Sequence, residues 1–98
     1  MISEEAMALL TPLDEAVAVL KAPLEEEDRA QGWTDDLRRE IQEEISTSRS
    51  ALRRHGMGTA RYLRPRLNEW LDREGVRSGS LRNLVDDVQR TLEEARTA

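Results

Sequence analysis

Hydrophobic residues recur at steps of three and four residues along most of the chain, the spacing that places them on one side of an α-helix. The first stripe consists of Ala6, Leu10, Leu13, Val17, Leu20 and Leu24, and the second of Leu37, Ile41, Ile45, Ser48 and Leu52. The third consists of Leu63, Leu67, Trp70 and Leu71, and the fourth of Leu81, Val85, Val88, Leu92 and Ala95. No segment alternates as a half-buried strand does. The pattern therefore predicts an all-α fold.

Capping residues place the predicted ends of the helices. Thr34, followed by two aspartates, is a strong N-cap, and Gly56 suits the left-handed end of the same helix. Ser3 and Ser80 are the N-cap candidates of the first and last helices. The four helices are predicted at residues 3–21, 34–55, 60–74 and 80–96.

Prolines and an acidic segment interrupt the pattern. Pro12 either kinks a continuous first helix or restarts it, and Pro65 either bends the third helix or lies in its first turn. Residues 22–33 are predicted to be an acidic connector with at most one helical turn. The short connection at residues 56–59 predicts that the helices on either side pack as an antiparallel hairpin.

Short connectors between four helices predict a single domain over residues 1–98, a small four-helix bundle. The core is expected to be lean, because the chain holds 13 leucines, 3 isoleucines, 5 valines and no phenylalanine. The alternative is an extended helical hairpin that completes its core by dimerisation.

Residue types restrict the chemistry that the chain can perform. It has no cysteine, which excludes disulfides, thiolate zinc sites and thiol nucleophiles, and His55 is its single histidine. No P-loop or nucleophile-elbow motif occurs, so we expect no catalytic residue, no metal and no cofactor. The acids Glu40, Glu43 and Glu44 are interpreted as a solvated helix face. The hydroxyl-rich residues 45–50 are expected to weaken helix propensity locally.

The chain carries no apolar run long enough for a secretory leader or a membrane span, so we expect a cytoplasmic protein without a membrane partner. Fourteen of its fifteen basic residues are arginine, a bias typical of GC-rich bacterial genomes.

Charge is unevenly distributed along the sequence. Residues 1–48 carry thirteen acids and four bases, whereas residues 49–82 carry nine arginines and three acids. In one interpretation the acidic half packs against the arginine-rich part, within the chain or across a dimer. In the other, arginines around the turn at residues 56–59 form an anion-binding patch. Its candidate members are Arg49, Arg53, Arg54, Arg61, Arg64 and Arg66.

Helical stripes with charged borders and without catalytic groups favour a non-enzymatic protein-protein interaction module, such as an adaptor, regulator, inhibitor or assembly factor. Its partner is expected to be another protein or a second copy of the chain. The residues predicted to bind that partner are Leu63, Leu67, Trp70, Leu81, Val85, Val88 and Leu92. The alternative is a nucleic-acid-binding transcriptional regulator that uses residues 49–66. A small enzyme with a composite site at a subunit boundary is the third hypothesis.

Overall fold

Six helical segments make up most of residues 4–63 and 65–97, the part of the chain that this computed structural model describes. They are α1 (Glu4–Lys21), α2 (Glu26–Ala30), α3 (Asp35–His55), a 3₁₀ helix (Met57–Tyr62), α4 (Leu67–Arg73) and α5 (Ser80–Thr97). These residues contain no strand, and the predicted all-α fold is confirmed. The helices α1, α3, α4 and α5 correspond loosely to a four-helix bundle.

Local sequence determines both ends of α3 as predicted. The hydroxyl of Thr34 accepts a hydrogen bond from the amide of Leu37 at 3.1 Å, which satisfies one amide of the first turn. Gly56 follows the helix with a φ of 78°, and its amide donates to the carbonyl of Leu52 at 2.8 Å. The hydroxyl-rich middle of α3 remains helical throughout.

The other helix ends refine the predictions. The helix α1 is continuous through Pro12, so it does not restart there. Ser3 lies outside the described residues. Ser80 is the first residue of α5 rather than its cap, because the amide of Asn83 donates to the carbonyl of Gly79. The predicted connector at residues 22–33 contains one short helix, α2, as expected.

The predicted third helix at residues 60–74 is wrong in its extent. Its first part is the 3₁₀ helix, Leu63 is extended, and α4 begins only at Leu67. Pro65 has no amide hydrogen to continue a helix from the preceding turn, so the α-helix starts after it. The end of α4 is as predicted: Gly75 has a φ of 84°, and the amide of Val76 donates to the carbonyl of Leu71 at 2.9 Å.

This break changes the expected hairpin. The 3₁₀ helix contacts both α3 and α5, whereas α4 packs against α5. The helix α1 lies between α3 and α5 and makes its most extensive contact with α3. The two run antiparallel, because Arg38 near the start of α3 donates to the carbonyl of Ala22 just beyond α1, and Arg49 lies beside Asp14.

One core joins all these elements except α2. The predicted stripe of α3 is buried at every position, and α5 buries the first four positions of its stripe. In α1, Leu9 and Ala16 are buried in addition to the predicted Leu10, Leu13, Val17 and Leu20. Trp33, in the connector just before α3, is only 1% exposed and belongs to the core, as expected of a packing residue. The side chain of Ala6 lies outside the described part.

Candidate functional site

Five of the seven residues predicted to bind a partner lie in the core of the single chain. These are Leu67, Leu81, Val85, Val88 and Leu92. A chain with few large apolar residues uses most of them to bury its own helices. Leu63 and Trp70 are half-buried and pack against the core, so only their outer parts are open to a partner. Partner binding through these two residues stays a prediction.

Two arginines of the proposed anion patch contact an acidic residue of the same chain. Arg49 and Arg53 of α3 approach the carboxylate of Asp14 in α1 at 3.3 and 3.4 Å. Asp14 belongs to the acidic first half of the sequence and both arginines to the basic part. The structure therefore contains one contact of the kind that intramolecular charge pairing requires. Arg64 lies outside the described residues.

The remaining arginines of that set have different neighbours. Arg61 lies over the ring of Tyr62, 5.2 Å from its centroid, and both side chains are exposed. Arg66, the residue before α4, is 3.8 Å from Glu69 in the first turn of that helix. Arg54 is exposed on α3. The set is thus distributed over several contacts, and binding of nucleic acid by it stays a prediction.

A shallow groove of about 590 Å³ lies along α3 on the side turned away from the core. We call its lining residues the α3 face: Gln42, Glu43, Ser46, Thr47, Ser50, Ala51, Arg54 and His55. At 3.6 residues per turn, Glu43, Thr47, Ser50 and Arg54 are about half a turn from the buried stripe. Four of the eight lining residues, Ser46, Thr47, Ser50 and Ala51, have short side chains. Another backbone can therefore approach the middle of α3 closely.

The α3 face carries charges of opposite sign towards its two ends. Glu43 lies at one end of the groove, Arg54 at the other, and hydroxyl side chains lie between them. Both charged residues are exposed, and neither forms an ion pair with another residue in ranges 4–63 and 65–97. Exposed charges without an intramolecular partner are available to a second molecule.

Sequence reasoning assigned the acids of the α3 face to solvent, treated its hydroxyl residues as a weak point of the helix and placed Arg54 in the candidate anion patch. The missed signal is a second periodicity. Glu40, Glu43, Thr47, Ser50 and Arg54 are separated by steps of three and four residues, as in a coiled-coil seam, but they are polar. A search restricted to apolar stripes does not detect such a seam.

A second cleft, of about 470 Å³, lies between the start of α4 and the second half of α5. Its charged residues are Arg66, Glu69, Glu93 and Arg96, two of each sign. Gln89 at its base is 6% exposed, and its side chain already accepts from the amide of Leu67 and donates to Glu93, both at 2.9 Å. The hydrogen bonds of Gln89 in this cleft therefore hold α4 against α5.

Residues 4–63 and 65–97 contain neither a cluster of metal-ligating side chains nor a helix suited to a membrane. No three acidic or histidine side chains lie close enough together there to hold a metal ion. None of the helices in that part combines the length and the apolar character that a membrane span requires.

Comparison with other proteins gives no relative: neither a family model, nor a curated protein, nor a solved structure matches this chain. The function is therefore proposed from the geometry of the chain itself.

Proposed function

We propose that this chain is a protein-binding helical module, without a reaction of its own, that docks a helix of its partner on the α3 face. The observation that carries the proposal is the groove of short side chains between an unpaired acid and an unpaired arginine. The backbone of a docked helix can approach that of α3 closely over Thr47 and Ser50. Its basic and acidic side chains can then pair with Glu43 and Arg54, respectively. The partner helix is thus expected to carry small residues at the contact.

The test is site-specific crosslinking in cells that make the protein. A photoreactive amino acid with a short aliphatic diazirine side chain, about the size of leucine, replaces Thr47 in the groove or, in the control, Arg77 in the exposed turn before α5. We expect a discrete protein adduct from position 47 and none from position 77. A second substitution, Ser50→Trp, fills the groove and should abolish the adduct while far-UV circular dichroism stays unchanged.

Three results would contradict the proposal: equal labelling from both positions, no adduct at position 47, or an adduct that persists after Ser50→Trp. The first indicates unspecific collision, the second an unoccupied α3 face, and the third contact elsewhere on the chain. Mass analysis of a specific adduct identifies the bound polypeptide, including the case in which it is a second copy of this chain.

A further inference from the structure

The α3 face is its own complement when a second copy is placed antiparallel to the first. Glu43 and Arg54 lie at equal distances along α3 from the point between Ser48 and Arg49, and Thr47 and Ser50 do so too. A two-fold axis through that point therefore places Glu43 of each copy opposite Arg54 of the other. Near the axis, Thr47 and Ser50 of the two copies meet. From this geometry we infer that the partner on the α3 face is a second copy of the chain.

The charges and the helix dipoles favour this arrangement over a parallel one. In a parallel pair, Glu43 would face its own copy, and so would Arg54, which places like charges together. The antiparallel pair forms two symmetric contacts between Glu43 and Arg54 instead. It also places the two helix dipoles antiparallel, so that the positive end of each lies beside the negative end of the other. The position of Glu43 is not explained by the dipole of its own helix, because that effect is confined to the first turn.

The short side chains indicate contact rather than solvation. Serine and threonine in the interior of a helix each cost about 0.5 kcal/mol of helix propensity relative to alanine. A purely solvated face has no reason to concentrate them in the middle of α3, where Ser46, Thr47 and Ser50 lie. At a helix crossing they allow close approach of two backbones, and their hydroxyls can form hydrogen bonds across it.

A contact along one helix face is smaller than a standard interface of about 1,600 Å². We therefore expect a reversible dimer rather than an obligate one. This inference rests on the proposed function, because it names the occupant of the same α3 face.

The first experiment is sedimentation equilibrium of the wild type and of charge-reversal variants. Glu43→Arg and Arg54→Glu each create like-charge contacts across the axis and should weaken dimerisation about tenfold, which corresponds to about 1.4 kcal/mol. The double variant exchanges the charges and should restore the wild-type dimer. Glu15→Arg and Arg73→Glu are controls with the same changes of net charge at exposed positions of α1 and α4, and they should leave dimerisation unchanged.

The second experiment determines the orientation by disulfide formation in the otherwise cysteine-free chain. Ser50→Cys lies near the axis and should form a covalent dimer much faster than Ser78→Cys, a control in an exposed turn. Glu40→Cys should not crosslink to itself, because two copies of this position are separated by about 25 Å along antiparallel helices.

Each other outcome overturns the inference. Rapid crosslinking of Glu40→Cys indicates a parallel pair, and failure of the double charge variant to restore the dimer places the interface elsewhere. A wild type that stays monomeric over the concentration range, with Ser50→Cys no faster than its control, excludes self-association. In that last case the proposed function survives if the photoreactive residue at position 47 still captures a different protein, and it fails with the inference if nothing is captured.

Discussion

At the scale of single residues, two glycine-containing turns fit together. Gly79 has a φ of 110°, a conformation that residues with a side chain rarely adopt, and the amide of Gln31 packs directly where its Cβ would lie. Gly32, with a φ of 106°, lies against the backbone of Gly75. Through these two contacts the acidic connector packs against the turn between α4 and α5.

We predict that Gly79→Ala destabilises the protein by about 1–3 kcal/mol, chiefly because alanine is strained at this φ; the new Cβ also requires the side-chain amide of Gln31 to move. Gly58→Ala is the matched control: its φ is not positive, and a Cβ there meets open space. Urea unfolding measures both. Equal losses in the two variants would contradict the prediction, because Gly58→Ala introduces neither the strain of a positive φ nor the contact with Gln31.

A second residue-scale feature is the side chain of Arg82, which is only 11% exposed. Its guanidinium donates to Asp72 at 2.7 Å, to Asp86 at 2.9 Å and to the carbonyl of Val76 at 2.7 Å. Burial lowers the pKa of Arg82, but hydrogen bonds to Asp72 and Asp86 and their charges raise it above its ordinary value. Because the folded pKa is raised, this stabilisation is present throughout the neutral range and is lost only as pH rises through that pKa.

We predict that Arg82→Lys costs about 2 kcal/mol although it keeps the charge, because an ammonium group cannot reproduce the planar fork that reaches three acceptors. Arg77→Lys, in the exposed turn nearby, should cost almost nothing. The measurement is the free energy of unfolding at neutral pH. A loss below about 0.5 kcal/mol for Arg82→Lys would contradict this account.

At the scale of elements, α4 is a seven-residue helix without a side-chain cap of its own. Its first amide, that of Leu67, donates instead to the side chain of Gln89 on α5 at 2.9 Å, in a buried environment. An isolated helix of this length is not stable in water, so packing on α5 and this hydrogen bond maintain it.

Gln89→Met is predicted to cost about 1–3 kcal/mol, because it keeps the volume but leaves the buried amide of Leu67 without an acceptor. Hydrogen exchange gives a local reading of this effect. The amide of Leu67 should lose protection more than that of Leu92 in α5. Uniform loss across both helices would indicate general destabilisation and not the loss of a cap.

The sequence predicts those elements whose ends and buried faces depend on residues nearby in the chain. Thr34, Gly56 and the stripe of α3 follow from neighbours within one turn, and all were predictable. The start of α4 was not, because its cap comes from Gln89, 22 residues away. The partner of Arg49 was equally hidden, since Asp14 lies 35 residues earlier. Periodicity identifies a helix face, but only the fold identifies what lies opposite it.

The contact of α1 with α3 tests how much the segregated charges contribute. Asp14 is 41% exposed, and the arginines beside it are 22% and 52% exposed, so solvent screens both ion pairs. We predict that Asp14→Asn costs less than about 1 kcal/mol and that the loss decreases further in concentrated salt. Glu15→Gln, at an exposed neighbouring position, is the control. A salt-independent loss of several kcal/mol would contradict this account, because it would mean that solvent does not screen the Asp14 carboxylate.

At the scale of the whole molecule, the buried residues form one cluster to which α1, α3, α4, α5, the 3₁₀ helix and the connector all contribute. The described chain extends over 41 × 22 × 18 Å, and its radius of gyration is 13.4 Å, close to the value of about 13 Å expected for one domain of this size. The single domain over residues 1–98 stays a prediction. The α3 face lies outside the cluster, so its substitutions should change association without changing the fold.

One core implies one unfolding transition, and the two tryptophans allow this to be measured. Trp33 lies in the connector and belongs to the core, whereas Trp70 on α4 is half-buried. In a Trp70→Phe variant, fluorescence reports on Trp33 alone, while far-UV circular dichroism reports mainly on the long helices. We predict that the two urea transitions coincide, because Trp33 cannot be exposed without opening the core that α1 and α3 share. A fluorescence transition at lower urea would instead show that the connector detaches first and that the chain contains a smaller stable unit.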